Sequence, residues 1–111
     1  MRTRWTIIYP DGNQRDEEAD MPEDPGYDLI AALVRPLIGR GNLEHVRVLF
    51  DGEPRDMFVD EDGHEKKLPR NNVATKIYRA NWMRQHPKDD TESLPFIRGV
   101  AVLFPDRPIW F

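Results

Sequence analysis

The sequence predicts a two-layer α+β domain, in which two helices pack on one mostly antiparallel sheet of about four strands. Stretches with clustered β-branched and aromatic residues, or with alternating apolar residues, predict the strands. Two stretches with apolar residues every three or four positions predict the helices. These elements follow one another in the order β-α-β-β-α-β. The 111 residues suffice for one ordinary domain, so we expect a single domain over residues 1–111.

The first strand is predicted at residues 5–9, where β-branched and aromatic side chains follow one another. Pro10 and Gly12 are typical of the turn that would end this strand. Residues 10–24 are polar and acidic, and they include a further proline, Pro22. We therefore expect a flexible acidic loop over residues 10–24.

The first helix is predicted to begin at residues 24–26. The Asp24 side chain can cap the free amides of the first turn, and Pro25 suits the first helical position. Apolar residues then recur with helical spacing: Leu29, Ile30, Ala32, Leu33, Val34 and Leu37. Pro36 should bend the last turn, and Gly39 is typical of the residue that follows a helix.

The remaining strands are predicted from alternation and apolar content. Residues 44–50 and 55–60 favour two strands joined by a turn at 51–54, and an antiparallel hairpin is the simplest way to connect them. Residues 96–104 predict the last strand. The apolar tail at residues 109–111 is expected to fold back onto the core or to mark a contact with a partner, because exposing it to water would be costly.

The second helix is predicted to follow Asn71 or Asn72, since either side chain can cap the first turn. His86 should end this helix, because the residue before a proline avoids helical geometry. A polar connector over residues 88–94 then leads to the last strand.

The composition excludes several classes of function. The chain has no cysteine, which excludes disulfide scaffolds, thiolate metal sites and thiol catalysis. No run approaches the ~20 apolar residues that a membrane span needs, and no apolar leader follows Met1. We therefore expect a cytoplasmic protein with no membrane partner.

No set of residues has the spacing of a catalytic or metal site. The three histidines are far apart in sequence: His45, His64 and His86. Ser93 lacks the Gly-x-Ser-x-Gly elbow of hydrolases, and residues 60–63 lack the spacing of a calcium loop. The Gly-x-Gly at residues 39–41 follows a helix, whereas a phosphate-binding loop precedes one. We predict no catalytic residue, no cofactor and no metal.

Charge is distributed unevenly along the chain. Residues 11–28 contain eight acids and one base, and residues 66–88 contain seven bases and no acid. The acidic stretch predicts a surface that binds a basic region of a protein partner through charge complementarity. The candidate residues for protein binding are Asp16, Glu17, Glu18 and Asp20.

The basic second helix offers an alternative partner, nucleic acid. Its cationic side chains would contact phosphates, and aromatic side chains would stack on bases. The candidate residues for nucleic-acid binding are Arg70, Lys76, Arg79 and Arg84. A net charge of −4 opposes nonspecific binding to nucleic acid. Two solvated surfaces that merely differ in charge would give the same pattern.

Residues 68–75 contain the pattern Leu-Pro-x-Asn-x-x-Ala-Thr, which follows Asp-Glu-x-Gly at residues 60–63 and precedes a valine-rich strand flanked by Gly99. Over residues 29–104 the chain resembles a family of small proteins of unknown function from phages, plasmids and bacterial genomes. Where that family often has a Gly-Gly pair, this chain has Gly-Arg-Gly at residues 39–41. The resemblance implies a mobile-element context, a compact domain and no known activity.

Taken together, these features predict a non-enzymatic interaction protein of mobile-element origin that binds a host or phage protein through a charged surface. The first alternative is an accessory factor that binds nucleic acid through the second helix. The second is an enzyme, which would require a cleft that brings carboxylates together with His45 or His64.

Overall fold

In the computed structural model, which describes residues 1–88 and 96–110, five antiparallel strands form one sheet with the order β2-β1-β5-β4-β3. The elements in chain order are β1 (Arg2–Ile8), β2 (Gln14–Asp20), α1 (Gly26–Val34), β3 (Leu43–Phe50), β4 (Glu53–Asp60), α2 (Asn72–Gln85) and β5 (Ala101–Phe104). The predicted α+β class is confirmed, although the sheet in these residues has five strands instead of about four. The predicted connector at residues 88–94 lies outside the described residues, except for its first residue.

The acidic stretch contains a strand, so the prediction of a loop over residues 10–24 is wrong for its central part. β2 pairs with β1 along its whole length, Gln14–Asp20. A tight turn joins the two strands, and in it the Tyr9 amide donates to the Asn13 carbonyl (2.9 Å). β2 lies at the edge of the sheet and needs little apolar surface. A polar sequence can therefore pair here without the alternation that predicts strands.

The two helices pack on opposite faces of the sheet, which gives three layers instead of the two predicted. Ile30 of α1 packs in one core with Phe58, whereas Ala74 of α2 packs in the other core with Met57. Met57 and Phe58 are neighbours on β4, and neighbours on a strand point to opposite faces. Because both faces of the central strands are covered, their residues are buried consecutively.

Prolines determine both ends of α1. The helix begins at Gly26 after Pro25, and no side chain caps it, so Asp24 does not have the predicted capping role. The helix ends at Val34, earlier than predicted, because Pro36 has no amide hydrogen to continue the ladder.

α2 begins as predicted, with Asn71 as its capping residue. The Asn71 side-chain oxygen accepts a hydrogen bond from the Ala74 amide (3.1 Å). Asn71 is fully buried, and its side-chain amide also donates to the carbonyls of Ile8 and Gly99, at 2.9 Å each. One polar side chain therefore ties the start of α2 to β1 and to the segment before β5.

β5 begins at Ala101, later than the prediction of residues 96–104. The backbone before it is bonded to α2 and to the residues just before this helix, instead of to a strand. The Ile97 amide donates to the Thr75 hydroxyl (2.9 Å), and the Ile97 carbonyl accepts from the Asn71 amide (2.8 Å).

Candidate binding surfaces and a buried carboxylate

The four predicted acidic residues lie on β2, but they do not form one surface. Three of them alternate along the strand, point to one face and are named here the acid row: Asp16, Glu18 and Asp20. The acid row shares its face with Ile8 of β1, which belongs to the core under α2. Glu17 points to the opposite face, and its carboxylate pairs with Arg15 (2.9 Å).

Arginines of β1 partly neutralise the acid row. The Arg2 guanidinium lies 3.1 Å from the Glu18 carboxylate, and the Arg4 guanidinium lies 3.3 Å from the Asp16 carboxylate. The Thr6 hydroxyl also donates to Asp16 (2.6 Å). The Asp16 and Glu18 side chains nevertheless remain 53% and 55% exposed. Because exposed ion pairs contribute only ~0–1 kcal/mol, these carboxylates can exchange their arginines for a partner's cations at little cost.

Two of the four predicted basic residues lie on the ring of Phe96. The guanidinium carbons of Arg70 and Arg79 are 4.1 and 4.7 Å from the ring centre, which is the range of cation–π contacts. A groove of about 440 Å³ runs along α2 beside this ring. Lys76 and Met83 line the groove, and Met83 is 52% exposed, so the groove combines positive charge with apolar surface.

Arg84, the fourth predicted basic residue, lies elsewhere on α2. It borders a second groove of about 510 Å³ together with Arg47 and Asn81. Arg84 is five positions after Arg79, and five residues at ~100° each place the two side chains about 140° apart around the helix axis. The predicted basic surface is therefore split, and only part of it surrounds Phe96.

A buried carboxylate that sequence reasoning missed holds the C-terminal tail. Asp56 of β4 is 0% exposed, and its Oδ2 accepts hydrogen bonds from the amides of Ile109 (2.8 Å) and Trp110 (3.1 Å). Its Oδ1 lies 2.6 Å from His45 Nε2. Ile109 is buried in the core under α1, so the tail folds back as predicted. Phe111 lies outside the described residues.

The chemistry of Asp56 favours a structural clamp over catalysis. Burial by itself would raise the pKa of Asp56, but the His45 hydrogen bond and the two amide donors lower it below its ordinary value. A His–Asp pair also orients the general base of many hydrolases. Here, however, the Trp110 ring stacks on His45, with 5.1 Å between the ring centres and 17° between the planes. The imidazole is thereby held between the tail and the carboxylate.

A cleft of about 260 Å³ lies where the hairpin of β3 and β4 meets α2. Glu44, Glu61 and His64 line it, with Tyr78 on the side of the helix. Burial, and then the charge of Glu61, raise the pKa of Glu44 above its ordinary value. Across residues 1–88 and 96–110, no group of three or more His, Asp or Glu side chains is placed to hold a metal ion.

No family model, no curated protein and no solved structure matches this chain. In the part of the chain that the structure describes, neither helix has the length and apolar character needed to cross a membrane. Function therefore has to be inferred from the surfaces described above.

Proposed function

We propose that this protein is a non-enzymatic interaction protein of mobile-element origin, which acts in the cytoplasm and binds a host or phage protein through a charged surface. The observation that carries the proposal is the acid row, which lies at the edge of the sheet. An array of carboxylates attracts a basic surface and raises the rate of encounter with it. The resemblance to phage and plasmid proteins supports the mobile-element origin.

The proposal is tested by recovering partners from a bacterial lysate with the intact protein and with a variant that carries serine in place of the four acids of β2. These substitutions are Asp16→Ser, Glu17→Ser, Glu18→Ser and Asp20→Ser. We expect the intact chain to recover a protein partner even after nuclease treatment, and we expect the variant not to recover it.

A matched control removes four exposed carboxylates from other surfaces: Glu23→Ser, Asp28→Ser, Glu53→Ser and Glu65→Ser. This control changes the net charge by the same amount, so it should still recover the partner. Equal loss from both variants would mean that net charge alone governs recovery, and the acid row would then have no specific role.

A second candidate function, binding of nucleic acid, is favoured by the cations around Phe96. Arg70 and Arg79 are held on the aromatic ring, and Lys76 lines the groove beside it. Guanidinium groups in such positions can contact phosphates and stack on bases. The measurement is the fluorescence anisotropy of a labelled single-stranded DNA at two salt concentrations.

If the nucleic-acid function is correct, affinity should fall steeply with added salt, because phosphate contacts release counterions. Arg70→Ala and Lys76→Ala should each weaken binding by about tenfold. Each should also make the slope of log K against log salt concentration shallower by about one. Arg84→Ala is the matched control, because Arg84 lies on a separate part of α2. If all three variants bind alike, the surface around Phe96 is not the binding site.

A further inference from the structure

We infer that β2 binds an extended segment of a basic protein partner by strand addition, with the partner's lysines or arginines at alternate positions opposite the acid row. The inference rests on the proposed function, and it adds the mode of binding and the chemistry of the partner. In strand addition, main-chain hydrogen bonds supply affinity and alternate side chains supply specificity.

The hydrogen-bond register of β1 and β2 shows which backbone groups of β2 point outward. Met1 and Met21 exchange both of their backbone hydrogen bonds, at 2.7 and 2.9 Å. At the other end of the pair, the Tyr9 amide donates to Asn13. Hydrogen-bonded pairs alternate along an antiparallel ladder. With the observed register, the odd-numbered residues of β2 therefore bond to β1.

The even-numbered residues of β2 consequently direct their amides and carbonyls away from the sheet. These residues are Gln14 and the acid row. The residues whose backbone groups point away from the sheet edge are therefore the same residues that carry the carboxylates of the acid row. A strand that paired with this edge would place every second side chain directly opposite an acid, on the same face and ~5.5 Å away between Cα atoms. Lysine or arginine at those positions would satisfy both the backbone and the charge.

The opposite edge of the sheet is occupied differently. β3 forms that edge, and the Asn81 side chain of α2 donates to the outward carbonyl of Arg47 (3.0 Å). Among the described residues, β2 has only β1 as a neighbour. A side chain of α2 therefore already occupies a backbone acceptor of the β3 edge, whereas the β2 edge is open to a partner strand.

A second copy of this chain fits the β2 edge poorly. If two β2 strands paired antiparallel through their outward groups, Glu18 would lie opposite Glu18 and Asp16 opposite Asp20. Like charges directly opposite one another destabilise a strand pair. Charge complementarity therefore selects a basic strand and disfavours self-association.

The test uses a synthetic peptide of alternating lysine and threonine, as long as β2 and blocked at both ends. Two N-methylated forms of this peptide carry the same number of methyl groups, so they have equal mass and charge. Methylation of the lysine amides removes the donors that would face β2, whereas methylation of the threonine amides removes donors on the far side. We expect lysine methylation to weaken binding at least about tenfold relative to threonine methylation, measured by titration of the backbone amide signals in NMR.

A pair of protein variants tests the same edge from the other side. Glu18→Gln removes the charge and keeps the outward amide. Glu18→Pro removes the charge and the outward amide, but it leaves the ladder to β1 intact, because the Glu18 amide points away from β1. We expect Glu18→Gln to weaken peptide binding about threefold and Glu18→Pro to weaken it at least about tenfold further.

The outcomes separate the inference from the proposed function. Suppose that both methylated peptides bind alike and that Glu18→Pro equals Glu18→Gln, although both variants bind more weakly than the intact protein. Strand addition is then overturned, and the acidic surface still binds. If the peptide binds the intact chain and the variants alike, the role of the acid row fails as well. Should Glu18→Pro fail to fold, the methylated peptides still decide between these outcomes.

Discussion

Replacing the buried Asp56 with alanine should lower the free energy of unfolding by about 3–5 kcal/mol. The structure gives this carboxylate three donors: His45 Nε2 at 2.6 Å, the Ile109 amide at 2.8 Å and the Trp110 amide at 3.1 Å. Alanine leaves the two amides without an acceptor, and each buried amide without a partner costs about 1–3 kcal/mol. Loss of the charge-assisted bond to His45 adds to this cost.

Asparagine at position 56 should cost much less, about 1–2 kcal/mol. Its side-chain oxygen can still accept from the amides of Ile109 and Trp110. Its amide group can donate to His45 Nε2 when the imidazole carries its proton on Nδ1. The comparison between Asp56→Ala and Asp56→Asn therefore separates the loss of hydrogen bonds from the loss of charge.

The assay is urea denaturation followed by circular dichroism, with linear extrapolation to water. Each variant is measured in the full chain and in a chain that ends at Pro108. Because Asp56 acts on the tail, we expect a coupling free energy of about 2 kcal/mol between Asp56→Ala and the truncation. If alanine costs the same in both chains, Asp56 does not hold the tail.

The low pKa of Asp56 predicts the direction of the pH dependence. Because the folded pKa lies below the ordinary value of about 3.9, the unfolded chain binds this proton at a higher pH than the folded chain does. The stabilisation is therefore complete above the ordinary value and is lost as the pH falls through the folded pKa. The difference in unfolding free energy between the intact protein and Asp56→Asn should shrink as the pH falls below the ordinary pKa of an aspartate and then through the lowered pKa of Asp56. A difference that widens over this range would contradict the assignment.

Three further predictions follow from the contacts described above. Asn71→Ala should lower the free energy of unfolding, measured by thermal unfolding, by about 3 kcal/mol, because it leaves the Ile8 and Gly99 carbonyls and the Ala74 amide unpaired. Asn71→Asp should lower it by at least as much, since a carboxylate oxygen would then face two carbonyl oxygens. Glu61→Gln should lower the pKa of Glu44 in an NMR titration and should stabilise the fold at neutral pH, because it removes a charge that repels the Glu44 carboxylate. The gain should be lost as the pH falls through the raised pKa of Glu44, and an unchanged pKa of Glu44 would mean that burial alone raises it. Replacing all three residues of the acid row with threonine should cause self-association, because the edge loses the repulsion between like charges. Sedimentation velocity measures this association. A variant that stays monomeric at millimolar concentration would contradict the protective role of these charges.

Elements with local signals could be predicted from the sequence. The β3–β4 hairpin combines alternation with a turn, and Asn71 is a favoured capping residue that precedes an apolar helical stripe. β2 has no such signal, because an edge strand with one neighbour needs little apolar surface. The placement of α1 and α2 on opposite faces was equally hidden, since each helix has one apolar stripe and could pack on either face.

For the candidate surfaces, the sequence predicts which residues are charged but not how they are arranged in space. The acidic residues could be named, but their division into the acid row and Glu17 requires the strand that was missed. The His45–Asp56 contact had a usable signal. The hairpin register pairs His45 with Phe58, so Asp56 is two residues away on the same face. Asp56 points to the same face as the buried Phe58, so its charge needs a partner there. The register places His45 beside it as that partner.

In the proposed mode of binding, the charge at the β2 edge serves protection and binding through the same atoms, so charge substitutions alone cannot distinguish the two roles. α2 packs over β3 and β4, whereas the acid row lies at the other end of the same face. A sheet edge left open in this way needs protection against pairing with a second copy, and charged side chains are one means of protection. What separates the roles is the outward amide of Glu18. Protection requires only the carboxylate, and strand addition requires the amide as well. A loss of affinity in Glu18→Pro beyond that in Glu18→Gln would therefore be evidence for binding that repulsion between copies does not explain.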